Sequence, residues 1–180
     1  LKLLILDRDG VLNHDRDDFV KSPEEWIPLA GSLEAVASAC QAGWTVAVAT
    51  NQSGIGRGLF DLATLQAMHD KLQRLLQPLG GRIDLITWCP HGPDAACDCR
   101  KPKDGLFRQI MQHYGLADLN GVPAVGDSLR DLQAGQALGT RPWLVRTGKG
   151  ERTLAKGGLP KGTRIEPDLQ AVVQRLLTEE

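Results

Sequence analysis

The sequence predicts an α/β protein built on a doubly wound parallel sheet. Short apolar runs of strand length alternate with segments of helical period along most of its 180 residues, the order that gives parallel strands crossed by helices. The first run, Leu3 to Leu6, stops on Asp7 and Asp9, two acids one residue apart, with Gly10 after them. Later runs stop on Thr50 and Asp127. Residues able to do chemistry therefore gather beyond the carboxyl ends of the strands, where such sheets bind ligands.

Each element has a local reason. Gly31 and Ser32 open a helix with Ser32 as candidate N-cap, an apolar face of Leu33, Val36, Ala37 and Cys40, and Gly43 as its stop. Trp44 to Ala49 is the second strand. Asp61 can cap a longer helix that carries Leu65, Met68, Leu72, Leu75 and Leu76 at helical spacing, and Ile83 to Trp88 is the third strand. Asp104-Gly105 leads into a helix ending near Tyr114. Val122 to Gly126 is the fourth strand, Leu129 to Leu138 a helix, Pro142 to Val145 the fifth strand, and Pro167 to Leu177 a closing helix with Pro in its first turn. The Gly- and Lys-rich stretch from Gly148 to Gly162 reads as a mobile surface loop. The length suits one domain, residues 1–180, with a small insert at 89–99.

Composition excludes several function classes. The 21 basic and 22 acidic residues give a net charge of −1 and are spread along the chain, which leaves no polybasic footprint for nucleic acid and no basic amphipathic segment for a membrane. No apolar run approaches the roughly 20 residues that span a bilayer, and the N-terminus enters a strand directly, so a cytoplasmic protein is expected. Three of the four cysteines crowd between Cys89 and Cys99 beside His91, while Cys40 stands alone. That is no disulfide framework, and it suits a reducing compartment.

Asp7 and Asp9 repel each other unless a cation or a shared proton lies between them. Cys89-x-His91 followed by Cys97-x-Cys99 offers three thiolates and one imidazole within eleven residues. This is the donor set of a closed, structural zinc site with no coordination position left for water. Such a site would order a loop that lacks a core of its own and aim Arg100 and Lys101, which follow its last ligand.

Asp7-Arg8-Asp9-Gly10-Val11-Leu12 after an apolar strand is followed in order by Thr50-Asn51-Gln52, Arg100-Lys101-Pro102 and Gly126-Asp127-Ser128. The series resembles the haloacid dehalogenase superfamily of aspartate-nucleophile phosphatases, and the cysteine insert narrows the resemblance to the group holding the heptose bisphosphate and histidinol phosphatases. It implies a Rossmann-like haloacid dehalogenase fold without a large cap, and a monomer. It further implies Asp7 as nucleophile, Asp9 as acid and base, and magnesium held by Asp7, the Asp9 carbonyl and Asp127, with Thr50 and Lys101 stabilising the phosphoryl group. Substrate contacts carry over to Asp15, Arg16, Asp17, Asp18, Phe19, Asn51, Gln52, Ser53 and Arg100. Asp131 stays outside this ligand set, since an acid starting a helix also satisfies the helix dipole.

The stretch Thr50-Asn51-Gln52-Ser53-Gly54-Ile55-Gly56-Arg57-Gly58 looks like the heptose version of its loop. The implied reaction is removal of the 7-phosphate from glycero-manno-heptose 1,7-bisphosphate on the way to nucleotide-activated heptose and the lipopolysaccharide core. The anomer is left open. Histidinol-phosphate phosphatase is the rival enzyme, and a zinc-stabilised binding module on an inactive scaffold is the rival of another class.

Overall fold

Strand β1 (Leu3–Leu6) is buried at every residue, as a strand with neighbours on both edges and helices over both faces must be. In the computed structural model, which describes residues 1–179, β1 pairs in parallel with β2 (Thr45–Asn51) on one side and β4 (Pro123–Gly126) on the other. β3 (Leu85–Cys89), β5 (Arg141–Val145) and β6 (Arg164–Glu166) complete one parallel sheet in the order β3-β2-β1-β4-β5-β6. The chain builds outward from β1 to β3, then restarts beyond β1 at β4. That reversal opens a crevice at the carboxyl ends of β1 and β4. Asp7 and Asp127 are the first residues past those two ends.

Side chains alternate across the strands and divide the core. Leu4, Leu6, Val46 and Val48 join α1 (Ser32–Gln41), α2 (Leu62–Leu76) and α6 (Leu169–Thr178) on one face. Leu3, Ile5, Ala47 and Ala49 face Leu106, Phe107 and Ile110 of α3 (Gly105–Tyr114) and Ala134 of α4 (Leu129–Ala134) on the other. The long connection after β1 is not loose. Its Val11, Leu12, Val20 and Trp26 enter the first core, and Lys71 of α2 donates to the Pro23 and Trp26 carbonyls at 2.7 Å each.

Asp61 caps α2 as its sequence implies, accepting from the Thr64 amide at 2.8 Å. Three local expectations are corrected. Gly31 rather than Ser32 is the N-cap of α1, at φ 83°. The Ser32 hydroxyl instead donates to the Val11 carbonyl at 2.7 Å, which ties the β1 connection to the helix. Asp168 rather than Pro167 starts α6, accepting from the Ala171 amide at 2.8 Å. The stretch 148–162 is not a loop: it holds helix α5 (Gly150–Lys156), with Gly150 and Thr153 buried. No helix among the described residues is long and apolar enough to cross a membrane.

Candidate active site

Asp7 leaves the sheet where its backbone is still held, its amide donating to the Val125 carbonyl at 2.9 Å. Its carboxylate meets the ammonium of Lys101 at 3.0 Å, and the same ammonium reaches Asp131 at 2.7 Å and the Ala49 carbonyl at 2.8 Å. Lys101 is only 2% exposed, so all three of its protons are committed inside the protein. Burial and the neighbouring Asp131 push the Asp7 carboxyl up to about 7, with Asp9 adding to the effect and Lys101 opposing it.

Asp9 sits in a frame of donors. Arg8 binds its Oδ1 through Nε at 3.0 Å and Nη2 at 2.9 Å, Asn13 donates to Oδ1 at 2.8 Å, and Gln52 donates to Oδ2 at 3.0 Å. Burial alone would raise this carboxyl, but the Arg8 charge and the bonds from Asn13, Arg8 and Gln52 hold it below the ordinary carboxylate value. Arg8 is itself fully buried and held from behind by the His69 Nε2 at 3.3 Å and the Gln52 Oε1 at 3.2 Å.

At the end of β4, Asp127 is 2% exposed and has no cationic side chain within ion-pair distance among the described residues. Among the described residues, its carboxylate oxygens accept only from the Ser128 hydroxyl at 3.2 Å and the Lys149 amide at 2.9 Å. Burial, then the charges of Asp131 and Asp7, drive it well above the usual carboxylate range. Asp131, by contrast, is spent on structure. Its Oδ2 accepts the amides of Asp127 at 3.2 Å and Ser128 at 3.1 Å while its Oδ1 pairs with Lys101, closing a capping box at the start of α4. Despite its burial, the Lys101 charge holds Asp131 below the ordinary value.

Oxygens of Asp7, Asp127 and Asp131 lie within 4.8 Å of one another. Hard carboxylate oxygens, one of them buried without a countercharge, fit a magnesium ion. The backbone makes room for this: a Cβ on Gly10, at φ +87°, would stand 2.0 Å from the Asp127 Oδ2, and one on Gly148 would stand 2.3 Å from it.

The soft donors form a separate cluster. Cys89 Sγ lies 3.5 Å from His91 Nδ1 and 3.8 Å from Cys97 Sγ, and Cys99 Sγ lies 2.9 Å from Cys89 Sγ and 3.5 Å from His91 Nδ1. Two sulfurs bound tetrahedrally at about 2.3 Å to one zinc stand roughly 3.8 Å apart; the Cys89–Cys97 pair has that separation, the Cys89–Cys99 pair is closer, and all four donor atoms lie within 4.8 Å of one another. Backbone amides of Arg100 and Cys99 bring the Cys97 thiol down to about 6, whereas burial pushes the Cys89 and Cys99 thiols above their ordinary value. The loop is braced against the rest of the site, with the Cys89 carbonyl accepting from the Gln52 amide at 2.7 Å and the Pro90 carbonyl from the Gly56 amide at 2.9 Å.

With this geometry, similarity to known proteins becomes informative. The chain is 62% identical over 179 residues to D-glycero-beta-D-manno-heptose-1,7-bisphosphate 7-phosphatase of Bordetella bronchiseptica, covering 99% of each. It is 60% identical over 175 residues to the enzyme of that name in Pseudomonas aeruginosa, covering 97% of each. The chain belongs to the heptose 1,7-bisphosphate 7-phosphatase family. It is an enzyme, a phosphatase of the haloacid dehalogenase superfamily: a HAD-hydrolase-like family matches residues 98–172, and a family described as polynucleotide kinase 3 phosphatase matches residues 2–131. A crystal structure of D,D-heptose 1,7-bisphosphate phosphatase from B. bronchiseptica, complexed with magnesium and phosphate, superposes with a TM-score of 0.98 at 62% identity, covering 100% of both chains. Another from Burkholderia thailandensis gives 0.78 at 50% identity, covering 99% of both.

Within the family frame, a cleft of about 190 Å³ opens over Asp7 and Asp127. Its lining includes Asp15, Arg16, Asp17, Phe19, Asn51, Ser53 and Arg100 among the residues expected to touch substrate. Three expected residues do not line it. Thr50 is 1% exposed and its hydroxyl accepts from the Gln52 amide group at 2.9 Å. Gln52 stands behind Asp9, and Asp18 turns outward to Arg16 at 3.0 Å and Lys21 at 3.1 Å. Asn51 reaches the cleft but also clamps the Lys101 backbone, accepting its amide at 2.9 Å and donating to its carbonyl at 3.1 Å. Sequence reasoning missed Arg57, Arg130 and Lys149, all of which line the cleft. Only Arg57 lies in a stretch whose pattern pointed to this loop.

Proposed function

We propose that this chain removes the 7-phosphate of D-glycero-D-manno-heptose 1,7-bisphosphate, in the β form that its relatives are named for, and leaves the 1-phosphate on the sugar. The observation that carries the reading is the Asp7–Lys101–Asp131 chain at 3.0 and 2.7 Å in the crevice between β1 and β4, in a protein so similar to heptose bisphosphate phosphatases. An Asp7 oxygen attacks phosphorus as the bond to O7 of the sugar breaks, giving an aspartyl-phosphate. Asp9 gives the departing O7 its proton. It then takes one from water, which attacks phosphorus and releases Asp7. The donors around Asp9 favour its base form in the free enzyme, and an arriving phosphate dianion raises its proton affinity. Lys101 holds the nucleophile in place and offsets the charge that gathers there.

Magnesium at Asp7, the Asp9 carbonyl and Asp127, when bound, supplies charge neutralisation to the phosphoryl oxygens. Zinc at Cys89, His91, Cys97 and Cys99 is structural in this reading, and the unit is one catalytic domain, 1–180, acting as a cytoplasmic monomer. The test is phosphate release from heptose 1,7-bisphosphate and from histidinol phosphate, each with and without magnesium. Magnesium-dependent turnover that favours the heptose substrate is expected. Equal or better use of histidinol phosphate would move the chain to the rival enzyme, and no release from either would favour the inactive scaffold.

A further inference from the structure

We propose that Arg130, together with Arg57, builds an anion site around Arg100 that reads the phosphate remaining on the sugar and so sets a preference for bisphosphates over monophosphates. The inference rests on the proposed function for its substrate class, while its geometry comes from the cleft. The other cations there are already occupied. Lys101 serves Asp7 and Asp131, Lys149 meets Asp15 at 3.3 Å, and Arg16 meets Asp18 at 3.0 Å and Glu25 at 3.6 Å. Among the described residues, no carboxylate lies within ion-pair distance of Arg57, Arg100 or Arg130.

Most of their N–H donors are also unused. Arg57 gives one to the Ser53 hydroxyl at 3.3 Å while its guanidinium lies 5.3 Å from the centre of the Phe19 ring. Arg100 gives one to the His91 carbonyl at 3.1 Å. Among the described residues Arg130 has no side-chain hydrogen-bond partner, and its Nε is buried without one. The three come from different elements: the loop after β2, the end of the cysteine loop, and the first turn of α4. The charges of Arg130 and Arg57 bear directly on Arg100. Three like charges converging on one wall are unfavourable until an anion joins them, and guanidinium forks suit phosphate oxygens in pairs.

The size of the cleft fits this division of labour. At about 190 Å³ it is smaller than the roughly 300–1,000 Å³ of pockets that enclose a drug-sized ligand. The reacting phosphate occupies the floor at Asp7, and the rest of the substrate crosses the arginine wall. A monophosphate leaves that wall unanswered.

The experiment compares kcat/KM of the magnesium-loaded enzyme on heptose 1,7-bisphosphate against heptose 7-phosphate, and on fructose 1,6-bisphosphate against fructose 6-phosphate. Arg130→Gln should reduce the bisphosphate-to-monophosphate ratio by roughly 10- to 100-fold, mostly through KM of the bisphosphate. Arg57→Gln should act in the same direction, and Arg130→Lys should restore part of the ratio. Equal losses on both members of a pair would overturn the inference and assign Arg130 to balancing Asp131. A wild-type enzyme that ignores the second phosphate in both pairs would overturn it as well. Turnover of only the fructose pair would defeat the heptose assignment alone, and a collapsed ratio in Arg130→Gln there would still support the arginine wall.

Discussion

Lys101 shows what a single buried charge does when its partners are fixed. It separates two carboxylates, Asp7 at 3.0 Å and Asp131 at 2.7 Å, that would otherwise repel in a site shielded from water. Lys101→Ala should therefore cost stability as well as rate, on the order of 3–5 kcal/mol by analogy with broken buried ion pairs, read from the denaturant midpoint beside kcat. Asp7→Asn keeps the shape and removes the proposed nucleophile. Phosphate release should vanish while the circular dichroism spectrum and melting temperature stay close to wild type, and substantial magnesium-dependent activity in that variant would sink the role of Asp7. Asp7, Asp9 and Asp127 were legible because each ends or follows an apolar run. Asp131 was not, because four residues after Asp127 at a helix start it fits a dipole role equally well, and its partner Lys101 lies in a distant loop. Arg130 carried no signal at all: one arginine in a helical turn looks like any solvated face.

At the scale of elements, the two candidate metal sites should respond to different treatments. Chelating magnesium should stop turnover reversibly without unfolding, since Asp7 and Asp127 are anchored by strands. Removing zinc, or making Cys97→Ser, should loosen residues 89–101, lower the melting temperature and reduce activity even at saturating magnesium. Elemental analysis should find one tightly held zinc per chain, and a zinc-free protein of full activity and stability would defeat the idea. The N-cap of helix α5 contributes the Lys149 amide to Asp127 at 2.9 Å, and the helix itself the Thr153 hydroxyl to the Asp127 carbonyl at 2.7 Å. The sequence concealed it because Gly-Glu-Arg-Thr-Leu-Ala-Lys buries only Gly150 and Thr153, which leaves no apolar stripe to detect. β6, three residues long and mostly exposed, was hidden for the same reason. The other five strands carried enough apolar length to be read directly.

For the whole molecule, His69 links the site to the dependence of stability on pH. Burial, then the Arg8 charge, lowers it from 6.5 to about 3, so it stays neutral and its Nε2 can accept from Arg8. Above 6.5 neither the folded nor the unfolded chain protonates this ring. Between 6.5 and about 3 only the unfolded chain does, so stability falls as pH falls, by up to about 1.4 kcal/mol per pH unit from this group. Denaturation curves across that range should show the slope, and His69→Gln, which keeps an acceptor for Arg8, should flatten it. A different consequence follows from the bond of the Thr147 hydroxyl to the Gly10 carbonyl at 2.7 Å, which spans 137 positions. Asp7 and Gly10 therefore leave the ribosome long before the residue that clasps their loop does. Stalled nascent chains that end before β5 should carry Asp7 yet hydrolyse nothing, and activity should appear only once α5 has cleared the exit tunnel.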